Sequence, residues 1–259
     1  MLKKVDSTYY LKLLYDASDL RGVHSTDTPA VVFGGGPSCL TVPPGFVSKK
    51  WVIGCNYRPR NIKFNYHYLN DPLSVCWMYK NNVDPLISSL ILSDVICNFH
   101  LFHQYKYKSV PDWLPHYFAL NPNNYRDYWV GEMPIKEYLD ALTIGMVQGK
   151  LPHYRCTCPC PAPYEKTPTV GIRWYNSGIF CIELAIYMGF KTIYLAGFDS
   201  GSSHAYEHYA SDRIVIAKGR NDSFYQMYIN KINELSKTRK LILVNCPDNR
   251  YKQIENISV

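Results

Sequence analysis

NSGIFCIELAIYMGFKTIYLAGFD, residues 176–199, is a helix followed by a strand. The first fifteen residues are apolar on most sides, which predicts a buried helix capped at its start by Asn176 or Ser177 and ended by Gly189. KTIYLAGFD then reads as a buried strand running out into Asp199. Working outward, AVVFGG (30–35), WVIGC (51–55) and NYHYL (65–69) are short apolar runs bounded by turn residues, and they read as further buried strands. LISSLILSDVICNFHLFH (86–103) reads as a helix, then Asp94, then a strand. KEYLDALTIGMVQG (136–149) has helical spacing. Residues 221–238 suit an amphipathic helix with Tyr228, Ile229, Ile232 and Leu235 facing inward, and KLILVNCP (240–247) is a last strand. Helices alternating with strands that are apolar throughout predict an α/β fold: a Rossmann-like, mostly parallel sheet with helices on both faces. Such sheets bind ligands beyond the carboxyl ends of their strands.

The 259 residues, 47% of them hydrophobic, suffice for one sizeable core, so the chain reads as one α/β domain over 1–259. Residues 104–135 and 150–175, rich in Tyr, Pro and Asn, read as long loops, and 104–175 as a small lid or acceptor-binding insertion. The tail after Pro247 reads as loosely attached. Residues 1–19 read as a helix docked on the core rather than a signal peptide, and no run of about 18 uncharged apolar residues predicts a membrane span. The nine cysteines are odd in number and lie mostly in apolar runs, which points to buried thiols in a reducing cytoplasm rather than to a disulfide framework. The net charge of +7 favours anionic partners, yet its Lys and Arg residues are scattered and also serve simple solubility. The 23 tyrosines can stack on sugars and bases or fill a core.

Chemistry gathers at the strand ends. In GGGPS, Gly34, Gly35 and Gly36 let backbone approach a phosphate or ribose, Pro37 presets the turn, and Ser38 offers a hydroxyl. The run is neither a Walker loop nor G-x-G-x-x-G, and a purely structural turn explains it as well. Asn56 ends the second strand, Asn70 and Asp71 the third, and Asp199 a later one. Each alone would be a loop cap; together, beside a glycine bend, they read as a nucleotide site. Two metal motifs are set aside. HAYEH (204–208) fits H-x-x-E-H, which needs a helix, but follows the loop-like DSGSS; the one-residue Cys spacing of HYRCTCPCP (153–161) suits zinc poorly. No metal is expected.

GGGPS, then CN after the next strand, then NSG opening a helix, then YLAGFDSGSSHAY, resembles the bacterial sialyltransferases of glycosyltransferase family 42. The set is also similar to the 6-hydroxymethylpterin diphosphokinase-like proteins. The resemblance covers about residues 30–72 and 170–247, and is most specific over 177–205. It implies a lidded α/β domain, a variant of the GT-A glycosyltransferase arrangement, that transfers a sugar from a cytidine-monophosphate donor to an acceptor hydroxyl without metal. By that resemblance Gly35 and Ser38 face the donor's phosphate and ribose. Asn56 contacts the nucleotide, and Asp71 stands where the family has an Asn. Ser177 and Gly178 hold the nucleotide at a helix N-terminus. Ser202 and Ser203 lie in the segment whose family tyrosine stabilises the departing phosphate, and His204 occupies that tyrosine's place. The chain departs from the family twice more: Gly35 replaces an Asn, and the family's base histidine has no counterpart. Asp222 is the nearest base, with His208 the other.

The expected partner is therefore a nucleotide sugar, with no cofactor. A nucleic-acid acceptor, such as a hydroxymethylated base, is left open by the charge. The rival readings are a diphosphokinase, which needs ATP and magnesium at Asp71 or Asp199, and a non-catalytic nucleotide-binding protein.

Overall fold

A computed structural model describes residues 15–24, 27–55, 61–69, 87–93, 154–156, 177–199, 203–206, 213–216, 222–247, 250–251 and 253–259. Among them, nine strands form one sheet: β1 (Tyr15–Asp16), β2 (Ala30–Phe33), β3 (Trp51–Cys55), β4 (Phe64–Leu69), β5 (Ile87–Ser93), β6 (Tyr154–Cys156), β7 (Thr192–Ala196), β10 (Lys240–Val244) and β11 (Glu255–Ile257). Two more, β8 (Ser203–Tyr206) and β9 (Arg213–Ile216), pair antiparallel as a separate ribbon. The helices are the single turn α1 (Pro44–Val47), α2 (Ser177–Tyr187) and α3 (Asp222–Ser236).

The sheet runs β1-β6-β5-β4-β3-β2-β7-β10-β11, and every pairing in it is parallel. From β2 the chain builds outward through β3, β4 and β5, then returns to lay β7 and β10 on the opposite flank. The order therefore reverses between β2 and β7, the topological switch point where Rossmann-like sheets bind ligands.

One face carries the main core. Ala30 and Val32 of β2, Ile53 of β3, and Ile193 and Leu195 of β7 meet Ile179, Ile182 and Ile186 of α2 and Ile229 and Ile232 of α3. Residues 178–186 of α2 are all buried, and each fully buried Ile, Leu or Phe there contributes roughly 1.5–3 kcal/mol. Burial all round explains why that segment shows no polar face. On the opposite face the ring of Phe46 in α1 meets Tyr194 edge-on at 5.2 Å.

Both helices run against the strands. The last turn of α2 meets the amino edge of the sheet, where Tyr187 and Met188 carbonyls accept from the Gly22 and His24 amides at 2.9 and 2.7 Å. α3 ends four residues before β10 begins, and Lys240 donates to the Lys191 carbonyl at 3.2 Å. The N-termini of both helices consequently stand at the carboxyl edge.

Three expectations need correction. The run at 86–103 begins with strand β5, not a helix, because a strand covered on both faces is as apolar as a buried helix. The C-terminal tail is not loose: β11 extends the sheet beside β10, Tyr251 is buried, and Asn245 accepts from the Val259 amide at 2.9 Å. The chain start supplies β1 and the 3-10 turn Ala17–Leu20 over 15–20, with residues 1–14 outside the described set. Within 104–175 the strand β6 joins the main sheet between β1 and β5; the rest of that interval, and the helix expected at 136–149, lie outside the described residues. Cys55, Cys181 and Cys246 are buried free thiols as expected, and Cys39 joins them. No described helix is long and apolar enough to cross a membrane.

Candidate functional site at the carboxyl edge

The glycine bend follows β2 and lies against the chain leaving β7. The Gly34 amide donates to the Ala196 carbonyl at 2.7 Å, and the Gly36 amide to the Gly197 carbonyl at 2.8 Å. A Cβ on Gly34 would stand 2.5 Å from the Gly197 oxygen, and one on Gly36 2.7 Å from Asp199 Oδ2. Gly197 adds a φ of +75°, in the region that favours glycine. Gly34, Gly36 and Gly197 are thus demanded by backbone-to-backbone approach across the switch point.

The bend opens the 3-10 turn Pro37–Thr41. The donors at its start are already engaged. The Ser38 amide donates to Asp199 Oδ2 at 2.7 Å, the Ser38 hydroxyl donates to Asp199 Oδ1, and the Gly197 amide donates to Ser38 Oγ at 3.2 Å. The chain's own carboxylate therefore occupies the place where an anion would sit on this turn. The turn is also held from behind: Asn245, left-handed at φ 51°, donates from its side chain to Thr41 Oγ1 at 2.8 Å. The half-buried Gly35 keeps an amide with no partner among the described residues.

The first turn of α2 stands over the ends of β2, β3 and β4. Cys181 Sγ donates to the Gly54 carbonyl at 3.5 Å, Cys55 Sγ contacts the Phe33 carbonyl at 3.8 Å, and Phe180 stacks on Tyr68 at 4.1 Å. Burial, then contact with Cys55, pushes the Cys181 thiol well above its ordinary pKa. It is a neutral packing group, not a nucleophile. Ser177 is half-buried and Gly178 buried at the helix start, where backbone amides lack intrahelical acceptors and favour negative charge.

α3 contributes its own N-terminus, beginning at Asp222. Two turns in, Tyr228 stacks on Phe198 at 6.1 Å. Burial foremost, then its electrostatic interaction with Tyr251, Cys55, Asp199 and Cys246, raises the Tyr228 phenol well above its usual value. Phe198, the residue before Asp199, is held by its carbonyl, which accepts from Tyr251 Oη at 3.1 Å. Tyr251 was invisible to sequence reasoning because nothing local marks a tail residue as reaching back to residue 198.

The β8–β9 ribbon completes the edge. Its strand β8, bearing Ser203 and His204, packs against the turn Pro37–Thr41, with His204 opposite Val215. Because residues 204–206 are a strand, the H-x-x-E-H zinc reading loses the helix it needs. Among the described residues no three His, Cys, Asp or Glu side chains gather as a metal site.

The structure thus brings Gly34, Gly35, Gly36, Ser38, Asp199, Ser177 and Gly178 to one edge, with the backbone of His204 and of Asp222 at elements bordering it. Asn56, Asn70, Asp71, Asn176, Ser202 and His208 lie outside the described residues.

No family model matches the chain, and no curated protein matches it. Among solved structures, the sialyltransferase CstII from Campylobacter jejuni in complex with CMP-3FNeuAc is similar at 14% identity and a TM-score of 0.42, over 88% of this chain and 85% of that one. The same enzyme with cytidine-5'-monophosphate matches at 16% identity and 0.39, over 88% and 84%. A third, with trisaccharide acceptor and CMP, matches at 17% identity and 0.35, over 85% of this chain and 82% of that chain. These matches give no support to the pterin diphosphokinase likeness.

Proposed function

We propose that this chain is a glycosyltransferase that binds a nucleotide sugar at the carboxyl edge and passes the sugar to an acceptor hydroxyl. The observation that carries the reading is that a glycine bend at the switch point between β2 and β7 shares the carboxyl edge with the N-terminus of α2, whose first turn rests on β3 and β4. Beside them lies a carboxylate already locked in place. The sequence resemblance to family 42 supplies the donor class.

In this reading the donor's phosphate lies against the α2 start at Ser177 and Gly178 and the Gly35 amide, because Asp199 already takes the Ser38 donors. Asp199 forms the accepting side of the crevice, suited to ribose or sugar hydroxyls. The acceptor oxygen attacks the anomeric carbon as the bond from that carbon to the phosphate oxygen breaks. The acceptor's proton passes to Asp222, and the charge left on the nucleotide is met by the α2 start and His204. Asn56, Asn70, Asp71, Asn176, Ser202, Ser203 and His208 are proposed at its border. No observation favours a nucleic-acid acceptor over a small one.

Thermal unfolding against CMP, UDP, GDP and ATP, each with and without magnesium, tests the reading, since a ligand of the native state raises the midpoint. Stabilisation by a mono- or diphosphate without metal is expected. A response confined to ATP with magnesium would replace glycosyl transfer with phosphoryl transfer, and no response to any of them would remove the nucleotide site.

A further inference from the structure

α2 is apolar along its buried length except at Glu183, which is fully buried. α3 brings it a counter-charge: Lys231 Nζ lies 3.7 Å from Glu183 Oε1, and Lys231 itself is 4% exposed. The ammonium also reaches Glu234 Oε2 at 3.2 Å, at the helix surface. Apart from this pair the described contacts between the helices are aliphatic and aromatic, among them Ile229, Ile232 and Leu235 of α3 against the α2 cluster. Aliphatic faces can repack around a substitution with modest loss when volume and pattern are kept. A buried ion pair cannot. A slip of one turn, about 5.4 Å, would part Glu183 from Lys231, which would carry only Glu234 of its own helix with it.

That constraint matters because the two helices begin at the same edge. Glu183 is six residues into α2 from Ser177, and Lys231 nine residues into α3 from Asp222. Fixing the two side chains against each other fixes the spacing between the two helix starts. We propose that Glu183 and Lys231 are positioning residues, an interhelical key that sets the distance between the phosphate-binding start of α2 and the Asp222 start of α3. The inference rests on the nucleotide-binding reading above, and touches neither substrate nor reacting atoms directly.

The test compares Glu183→Leu, Lys231→Met and the double variant in stability and in affinity for whichever of CMP, UDP or GDP stabilises the wild type. Each single substitution breaks the Glu183–Lys231 contact and should lower the melting temperature, Lys231→Met by about 10 °C because it takes the ammonium from a fully buried carboxylate, Glu183→Leu by less because Lys231 keeps Glu234. The double variant, with both charges gone, should melt within a few degrees of wild type, as apolar replacements of buried pairs commonly do. Its nucleotide affinity should nevertheless fall at least about tenfold, because the helix starts are no longer held in register. Glu183→Gln with Lys231→Met, a second uncharged pair of different shape, should behave the same way. Wild-type affinity in a stable double variant would overturn the proposal and leave the pair a packing feature. Failure of both double variants to fold would overturn it too, by assigning the pair to stability. A wild type blind to all three nucleotides would instead sink the nucleotide reading, and the inference with it.

Discussion

The two edges of the sheet are built on opposite plans. At the amino edge, His24 is enclosed by aromatic rings: it stacks on Phe190 at 4.8 Å, lies 4.0 Å from Trp51, and its Nε2 meets Tyr66 Oη at 2.9 Å. At the carboxyl edge, close glycine backbones, a carboxylate and a helix start replace the rings. Both edges are well satisfied, but the carboxyl edge keeps at Gly35 an amide with no partner among the described residues. An edge that exists to close the core can be aromatic and inert; one that receives a ligand needs backbone approach and fixed dipoles.

Phe190→Ala should produce the largest stability loss. The ring is fully buried at the amino edge, and its removal should cost about 3–5 kcal/mol in denaturant unfolding, while a surviving native fraction keeps its nucleotide response. Loss of that response in a folded variant would show that the edges are not independent.

Asp199→Ala sharpens the contrast from the other side. It leaves the Ser38 amide and hydroxyl without their acceptor and should cost about 1–3 kcal/mol, less than Phe190→Ala, while abolishing nucleotide-dependent stabilisation. Retained stabilisation would mean that the loaded turn is purely structural.

The smallest effect is a pH dependence. Burial lowers the His24 pKa below its ordinary 6.5, so the folded state resists a proton that the unfolded chain accepts. Above that value both states are neutral and nothing is lost. As pH falls through about 6.5 towards the depressed folded value, the unfolded state binds the proton first and stability declines. His24→Phe should remove that part of the acid-side slope in urea midpoints measured between pH 7 and pH 5; an unchanged slope would place the titration elsewhere.

The fold was legible where apolar runs were long and cleanly bounded. The unit from Ser177 to Ala196, and the pair formed by α3 and β10, needed no tertiary information. β5 was not legible as a strand, because continuous burial erases the period that separates strand from helix. β11 escaped because a three-residue edge strand, Glu-Asn-Ile, carries almost no pattern. The site was half legible. GGGPS and Asp199 announced themselves as special, yet 161 residues separate Ser38 from Asp199, and only the parallel pairing of β2 with β7 brings them together. Glu183 stood in plain view within an apolar run, but its partner Lys231 lies on another helix and needed the packing to be found.

Hydrogen–deuterium exchange with and without CMP, UDP or GDP tests the central claim most directly, because it reads where a nucleotide is felt. Slowed exchange is predicted in peptides spanning residues 34–41, 177–181 and 197–199, with the amino edge around His24 unchanged. Protection confined to other segments, or none with any of the three nucleotides, would contradict it.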